Sequence, residues 1–293
     1  MKDAARLAAY FAATILLGAI LAPVLFWAAQ ALAADGVLPF LAKYHFETFF
    51  HRALLIAAVA LFWPFFRVSN VRSMVDLSLA PNRHWKRDVF AGVLLSAIPL
   101  LCCGALLIAL KIYAFRHSVA WTGFGKILAT SITVPFIEET FFRGIILGVL
   151  LRTGHRYMSI FATSAIFSIV HFLKAPERTS TLVTWTSGFN SVAHSFGQFR
   201  DLTMLLSALT TLFLIGWILA DARVLTRSLW LPIGLHAGWI FASSGFTRVA
   251  RQQVLALPWL GKNLLVGIVP LGVAGLTWII IRAWLKYDRA SKA

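Results

Sequence analysis

The sequence has few charged residues for its length. Asp, Glu, Lys and Arg make up 13% of the 293 residues, whereas about a quarter of a typical soluble domain is charged. Hydrophobic residues account for 59% of the chain, and the mean hydropathy is +0.79. With so little charge, most of the outer surface must face something other than water. This composition excludes an ordinary soluble protein.

Cysteine is almost absent. The only two cysteines, Cys102 and Cys103, are neighbours within an apolar run. Adjacent cysteines rarely bridge each other, and no third thiol is available to pair with them. We therefore interpret both as small core or lipid-facing residues and not as a disulfide or a thiol nucleophile.

Acidic residues are also scarce, with 11 Asp and Glu against 27 Lys and Arg, which gives a net charge of +16. Such an excess can indicate nucleic-acid binding. Here, however, the basic residues form short clusters between long apolar runs, and no basic helix or RNA-binding signature is present. We expect no nucleic-acid partner, because such clusters are typical of membrane proteins that contact anionic lipid head groups.

Long apolar runs of about twenty residues are typical of helices that span a lipid bilayer. The sequence contains eight candidate runs: Leu7–Ala31, Ala53–Phe66, Val89–Ile112, Ile127–Leu151, Met158–Leu173, Leu202–Ala220, Leu229–Phe246 and Leu264–Trp284. The second and the fifth of these runs are short. The sequence thus predicts an all-α polytopic membrane protein, with about eight transmembrane helices forming one domain over residues 1–293.

The ends of these runs predict the orientation of the chain. Lys2 and Arg6 precede the first run, and Ala31-Leu32-Ala33 resembles a signal-peptide cleavage site. The run is longer than the apolar core of a signal peptide, so we expect a retained helix. Lys and Arg are more frequent in the connections on the side of the N-terminus, which predicts cytoplasmic N- and C-termini.

One connection, Lys174–Asp201, is too long for an ordinary turn and too polar to span a membrane. Loops of this length are usually functional or disordered. Its aromatic residues, such as Trp185, lead us to expect that it lies at the membrane interface, over the mouth of a cavity.

The fourth apolar run contains Glu138, Glu139 and Arg143. A charge near the centre of a bilayer costs at least about 2.5–3.5 kcal/mol on insertion scales, so these groups must be paired and face the protein interior. Glu139 and Arg143 are spaced i,i+4, which predicts a salt bridge on one helix face. Glu138 is rotated by about 100° from Glu139, which leaves it available as a general base.

Two histidines also lie in apolar runs. His171 ends the segment Phe167-Ser-Ile-Val-His171, and His236 lies in the run that begins at Leu229. A single histidine in an apolar run is more often a hydrogen-bonded core residue than a catalytic one. Two such histidines together with Glu138 form a more specific set. The remaining histidines are predicted to be solvated, in loops or at helix ends: His45, His51, His84, His117, His155 and His194.

These residues form three motifs, each on its own apolar run: Glu-Glu-x-x-x-Arg at 138–143, Phe-x-x-x-His at 167–171, and Ser228-Leu-Trp-Leu-Pro-Ile followed by His236. In this order they resemble the CAAX protease and bacteriocin-processing family of intramembrane glutamate endopeptidases. The resemblance covers about Ile127 to Phe246. It implies a membrane-embedded catalytic cavity, with a core at about 127–246, and hydrolysis of a peptide bond near the C-terminal or hydrophobic segment of a membrane-associated protein.

The resemblance also implies roles for individual residues. Glu138 would activate the attacking water, and His171 would share that water or the proton transfer. His236 would stabilise the oxyanion, while Glu139 and Arg143 would orient the site. No cofactor or metal is implied, and a bacterial inner membrane is the expected location.

Position 240 departs from the family pattern. The family usually carries Asn or Asp four residues after the last histidine, and this sequence has Ile240. Another donor could replace the missing side chain, with Ser243, Ser244 and Asn190 as candidates. Otherwise the chain acts on different substrates, or it is a weak or non-catalytic member.

Three other functions stay open at this point. Glu138, Glu139, His171 and His236 could together bind Zn²⁺, although the His-Glu-x-x-His spacing of many zinc proteases is absent. Intramembrane Glu, Arg and His residues also form proton relays in transporters, but no inverted repeat is evident. A non-enzymatic partner-binding or immunity protein is the remaining alternative.

Overall fold

The computed structural model describes residues 2–68, 73–172, 182–197, 202–254, 258–261 and 263–290. In chain order, its elements are α1 (Lys2–Ala34), a 3₁₀ turn (Pro39–Lys43), α2 (Phe46–Val68), α3 (Trp85–Ala109), β1 (Tyr113–Phe115), α4 (Gly123–Glu139), a π-helical turn (Thr140–Ile146), α5 (Leu147–Leu151), α6 (Arg156–Phe172), α7 (Ser187–Ser195), α8 (Leu202–Thr226), α9 (Trp230–Val249), β2 (Ala250–Gln252) and α10 (Ile268–Ala290). The predicted all-α class is confirmed.

Every predicted apolar run contains helix, and five helices within the described residues are long and apolar enough to cross a bilayer. By length and composition these are Ala5–Ala34, Phe46–Val68, Trp85–Ala109, Leu206–Thr226 and Ile268–Tyr287. The chain is therefore an integral membrane protein. The predicted number of eight spans is not confirmed.

Two predictions of element bounds need correction. Helix α2 begins at Phe46 and not at Ala53. The prediction placed its start too late because Glu47 and His51 lower the local hydropathy, although Glu47 is buried, with 3% of its surface exposed. His51 thus lies inside a helix. The predicted polar connection contains helix α7, and its parts at 174–181 and 198–201 lie outside the described residues.

The chain forms two compact units. The first comprises Met1–Arg72 and Ile169–Asp201, and the second comprises Ser73–Ser168 and Leu202–Ala293. The single transmembrane domain stays a prediction.

In the first unit, α1 packs against α2 and α7. Its core contains Ala22, Phe46, Phe50 and Ala53. Helix α7 lies so close to α1 that a Cβ atom on Gly188 would collide with the carbonyl oxygen of Ala19. The small residue at position 188 therefore permits this contact.

In the second unit, α3 and α9 pack through small residues. A Cβ atom on Gly92 of α3 would lie 2.7 Å from the carbonyl oxygen of Leu231. On α9, a Cβ atom on Gly234 would collide with the carbonyl oxygen of Val89, and one on Gly238 with the hydroxyl of Ser96. Small residues four apart let helix backbones approach closely in membranes. This packing fixes the backbone of α9 on both sides of His236.

Polar contacts connect different segments of the second unit at its two ends. At one end, β1 and β2 pair antiparallel, with Ala114 opposite Arg251. At the other end, the buried carboxylate of Asp221 accepts hydrogen bonds from Arg156, Trp278 and Arg282. The pairing of β1 with β2 brings the connection after α3 against the connection after α9. This is expected for helices that alternate in direction.

We predict that Gly234→Ala destabilises the protein whereas Gly272→Ala does not. Alanine favours a helix by about 0.8–1.0 kcal/mol over glycine, but at position 234 overpacking against α3 should cost about 1–3 kcal/mol. Gly272 on α10 serves as the control, because a Cβ atom there would meet open space, with no neighbour within 4 Å among the described residues. Thermal unfolding in detergent, followed by tryptophan fluorescence, measures both. Equal unfolding midpoints for the two variants would contradict the packing described here.

Candidate active site

The site begins where α4 changes into the π-helical turn Thr140–Ile146. The N–H of Leu147 donates to the carbonyl of Phe142, five residues earlier. Such turns are rare and frequent at functional sites. Every residue from Phe142 to Leu147 is buried, so this segment is enclosed by protein on all sides.

Glu139 and Arg143 form the salt bridge that their spacing predicts. Arg143 Nη1 donates to Glu139 Oε1 over 2.9 Å, and neither side chain is exposed. Arg143 Nη2 also donates to the carbonyl oxygen of Gly216 on α8, at 3.2 Å. Removing two charges from water is costly, and these bonds compensate for part of that cost.

Glu139 also binds His236. The same oxygen, Glu139 Oε1, lies 2.7 Å from His236 Nδ1. A carboxylate paired with arginine can only accept hydrogen bonds, so Nδ1 must carry the proton. The other ring nitrogen, Nε2, lies 3.9 Å from Glu138 Oε2. This distance is too long for a direct hydrogen bond. It would allow a small molecule to contact both groups at once.

The two adjacent glutamates differ in exposure. The side chain of Glu138 is 28% exposed, whereas that of Glu139 is fully buried. A rotation of about 100° between neighbouring helix residues explains why one carboxylate points inward to Arg143 while the other remains accessible. The roles that the sequence analysis gave to the two glutamates stay predictions.

Phe167 on α6 packs against this network. Its ring centroid is 4.3 Å from the guanidinium carbon of Arg143 and 6.2 Å from the centroid of the His236 ring. A guanidinium group over an aromatic face is a favourable cation–π contact. Sequence reasoning assigned no role to Phe167 or to the carbonyl of Gly216. The Phe-x-x-x-His motif could have identified Phe167 as a site residue. The backbone carbonyl of Gly216 could not have been identified, because every residue has one.

His171 lies in the last turn of α6 and is half-buried. It follows Phe167 by four residues, which places both on one helix face. His171 belongs to the first unit, whereas Glu138, Glu139, Arg143 and His236 meet within the second. Its part in the site stays a prediction.

Two of the candidate donors that could compensate for Ile240, Ser243 and Ser244, lie apart from this network. Ser243 and Ser244 are about two turns beyond His236 on α9, roughly 10 Å along the helix axis, and line a separate cavity. They are too distant to share one oxyanion with His236. Asn190 lies in α7 of the first unit, where it is exposed.

Comparison with known families supports the resemblance found from the motifs. Residues 120–242 match the family described as Rce1-like, type II CAAX prenyl endopeptidase. The matched segment contains Glu138, Glu139, Arg143, His171 and His236. Comparisons with curated proteins and with solved structures gave no significant match.

We predict that Glu139→Gln destabilises the protein more than Glu138→Gln does. Loss of the Glu139 charge leaves Arg143 buried without its carboxylate, which typically costs about 3–5 kcal/mol. The same change at the more exposed Glu138 should cost about 1 kcal/mol or less. Thermal unfolding of both variants in detergent measures the difference. Equal losses would show that the two glutamates are not in different environments.

Proposed function

We propose that the protein is an intramembrane, metal-independent glutamate endopeptidase. Its substrate would be a membrane-associated protein, cleaved near its C-terminal or hydrophobic segment. The family match supports peptide hydrolysis, because that family is described as a prenyl endopeptidase. The observation that carries the proposal is the placement of Glu138 Oε2 at 3.9 Å from His236 Nε2, with Glu139 holding the other ring nitrogen.

In the proposed first step, Glu138 accepts a proton from a water molecule. The water oxygen attacks the carbonyl carbon of the scissile peptide bond, and the carbonyl π electrons move to its oxygen. A general base of this kind contributes about 10²–10⁴-fold to a rate. The side chain of Glu138 is partly exposed, although its Oε2 atom is buried beside His236. Partial exposure supports this role, because the base must reach both water and substrate.

His236 would stabilise the oxyanion of the tetrahedral intermediate. To donate a hydrogen bond, its Nε2 must be protonated, and the ring then carries a positive charge. Glu139 favours that charge through the contact at Nδ1, as the buried aspartate does for the histidine of serine proteases. Arg143 in turn holds the Glu139 carboxylate through their salt bridge. The salt bridge therefore acts on the chemistry through His236.

In the second step, the oxyanion collapses and the carbon–nitrogen bond breaks. Glu138 returns its proton to the leaving amine, so that the base of the first step becomes the acid of the second. We propose that His171 shares the water or this proton transfer. With Ile240 in place of an amide, His236 would carry the oxyanion stabilisation that the family usually divides between two side chains.

The alternatives make different demands on the same residues. A zinc protease would need Glu138, Glu139, His171 and His236 as ligands, and would lose activity on chelation. A proton-coupled transporter, or a partner-binding or immunity protein, would need no peptide hydrolysis.

We propose that the enzyme lies in a bacterial inner membrane, with both termini cytoplasmic.

We predict that Glu138→Gln abolishes cleavage while the protein still folds. The amide keeps the size of the side chain but cannot accept the proton, so the rate should fall by at least about 10²-fold. Mapping the C-terminal peptides of membrane proteins, in cells that produce either form, measures the loss. Asp35→Asn is the matched control, because this exposed carboxylate follows α1 in the first unit.

Treatment of the purified wild-type protein with a membrane-permeant chelator completes the experiment. Activity should persist after chelation and should be lost only in the Glu138 variant. Cleavage by Glu138→Gln at the wild-type rate would contradict the mechanism, and loss of wild-type activity on chelation would favour the zinc alternative.

A further inference from the structure

The second unit contains an open cavity of about 620 Å³ that the proposed chemistry does not use. It lies where α4 begins and α9 ends, and its volume falls within the range of small-molecule sites. Its wall includes two arginines, three serines and an amide. These are Arg116, Arg248, Ser118, Ser243, Ser244 and Asn263.

The two arginines are held by backbone carbonyls. Arg116 Nε donates to the carbonyl of Thr247 over 3.2 Å. Arg248 donates through Nε and Nη2 to the carbonyl of Ala120, at 3.1 and 2.9 Å. Within the described part of the chain, neither guanidinium forms an ion pair. The absence of a side chain at Gly123 leaves space for the Arg248 guanidinium, because a Cβ atom there would collide with it.

These bonds fix the two guanidinium groups without neutralising them. Each retains N–H donors beyond those used for the carbonyls, since arginine has five. Asn263 Oδ1 accepts the N–H of Leu265 at 3.0 Å, which leaves its amide NH₂ as the donor. Two positive charges, hydroxyl groups and an amide donor together form a site for an anion that also carries hydroxyl groups.

The position of the cavity indicates where that anion comes from. Exposed aromatic residues lie close in sequence to its lining residues, with Trp121 71%, Phe115 65% and Trp259 60% exposed. Tryptophan is enriched at the level of the lipid head groups. At the level of the head groups, a phosphate is that of a phospholipid. The interior of the bilayer contains only acyl chains and would offer no anion.

We propose that this cavity binds the head group of an anionic phospholipid. Arg116 and Arg248 would contact the phosphate oxygens, and the serine hydroxyls and Asn263 would contact the hydroxyl groups of a glycerol head group. Arginine suits this role because its planar donors match phosphate geometry. The proposal does not depend on the peptidase activity.

Native mass spectrometry of the full-length protein in detergent tests the proposal, with phosphatidylglycerol as the probe. Arg248→Gln removes one charge, and Ser118→Leu fills the cavity from an exposed position without changing charge. Each should lower the affinity for phosphatidylglycerol by about tenfold or more. Arg251→Gln is the control, because this exposed arginine on β2 lies at the same end of the unit but outside the cavity lining.

Three competitors identify the source of the anion. Phosphatidylcholine should bind more weakly than phosphatidylglycerol, and neither inorganic phosphate nor a short peptide with a free C-terminal carboxylate should displace the lipid. Unchanged affinity in both Arg248→Gln and Ser118→Leu would overturn the proposal. Displacement by phosphate or by the peptide would also overturn it, since the cavity would then bind a free anion or a peptide end.

Discussion

One carboxylate oxygen, Glu139 Oε1, accepts hydrogen bonds from both Arg143 and His236, and the side chains of Glu139 and Arg143 are fully buried. In such surroundings neither the guanidinium nor the carboxylate could persist alone, because burying an unpaired charge costs several kcal/mol. The bond to His236 determines which ring nitrogen carries the proton and so which nitrogen faces Glu138. The rest of the candidate site follows from this arrangement.

The surrounding helices hold the network in place by close packing. Glycines on α3 and α9 bring the two backbones together on both sides of His236, and Phe167 covers the guanidinium of Arg143. In the π-helical turn that contains Arg143, every residue from Phe142 to Ile146 is buried. A site built on rigid helices can keep its reacting groups within the small tolerances that catalysis requires.

The sequence predicted the parts of the fold that depend on local patterns. Apolar runs predicted the helices, and the i,i+4 spacing of Glu139 and Arg143 predicted their salt bridge. It did not predict the early start of α2, because Glu47 lowers the hydropathy although the fold buries it. Nor did it predict the contact between Glu139 and His236, which are 97 positions apart. Contacts at such separation depend on helix packing, which single-sequence periodicity does not encode.

The central claim is that Glu139 holds the Nδ1–H of His236 so that Nε2 faces Glu138. Nitrogen NMR of the membrane-reconstituted protein, labelled with ¹⁵N-histidine and assigned with a His236→Gln sample, tests it most directly. The account predicts a proton directly bonded to Nδ1 of His236 in the wild-type protein. A histidine protonated at Nε2 alone, with a bare Nδ1, would contradict it.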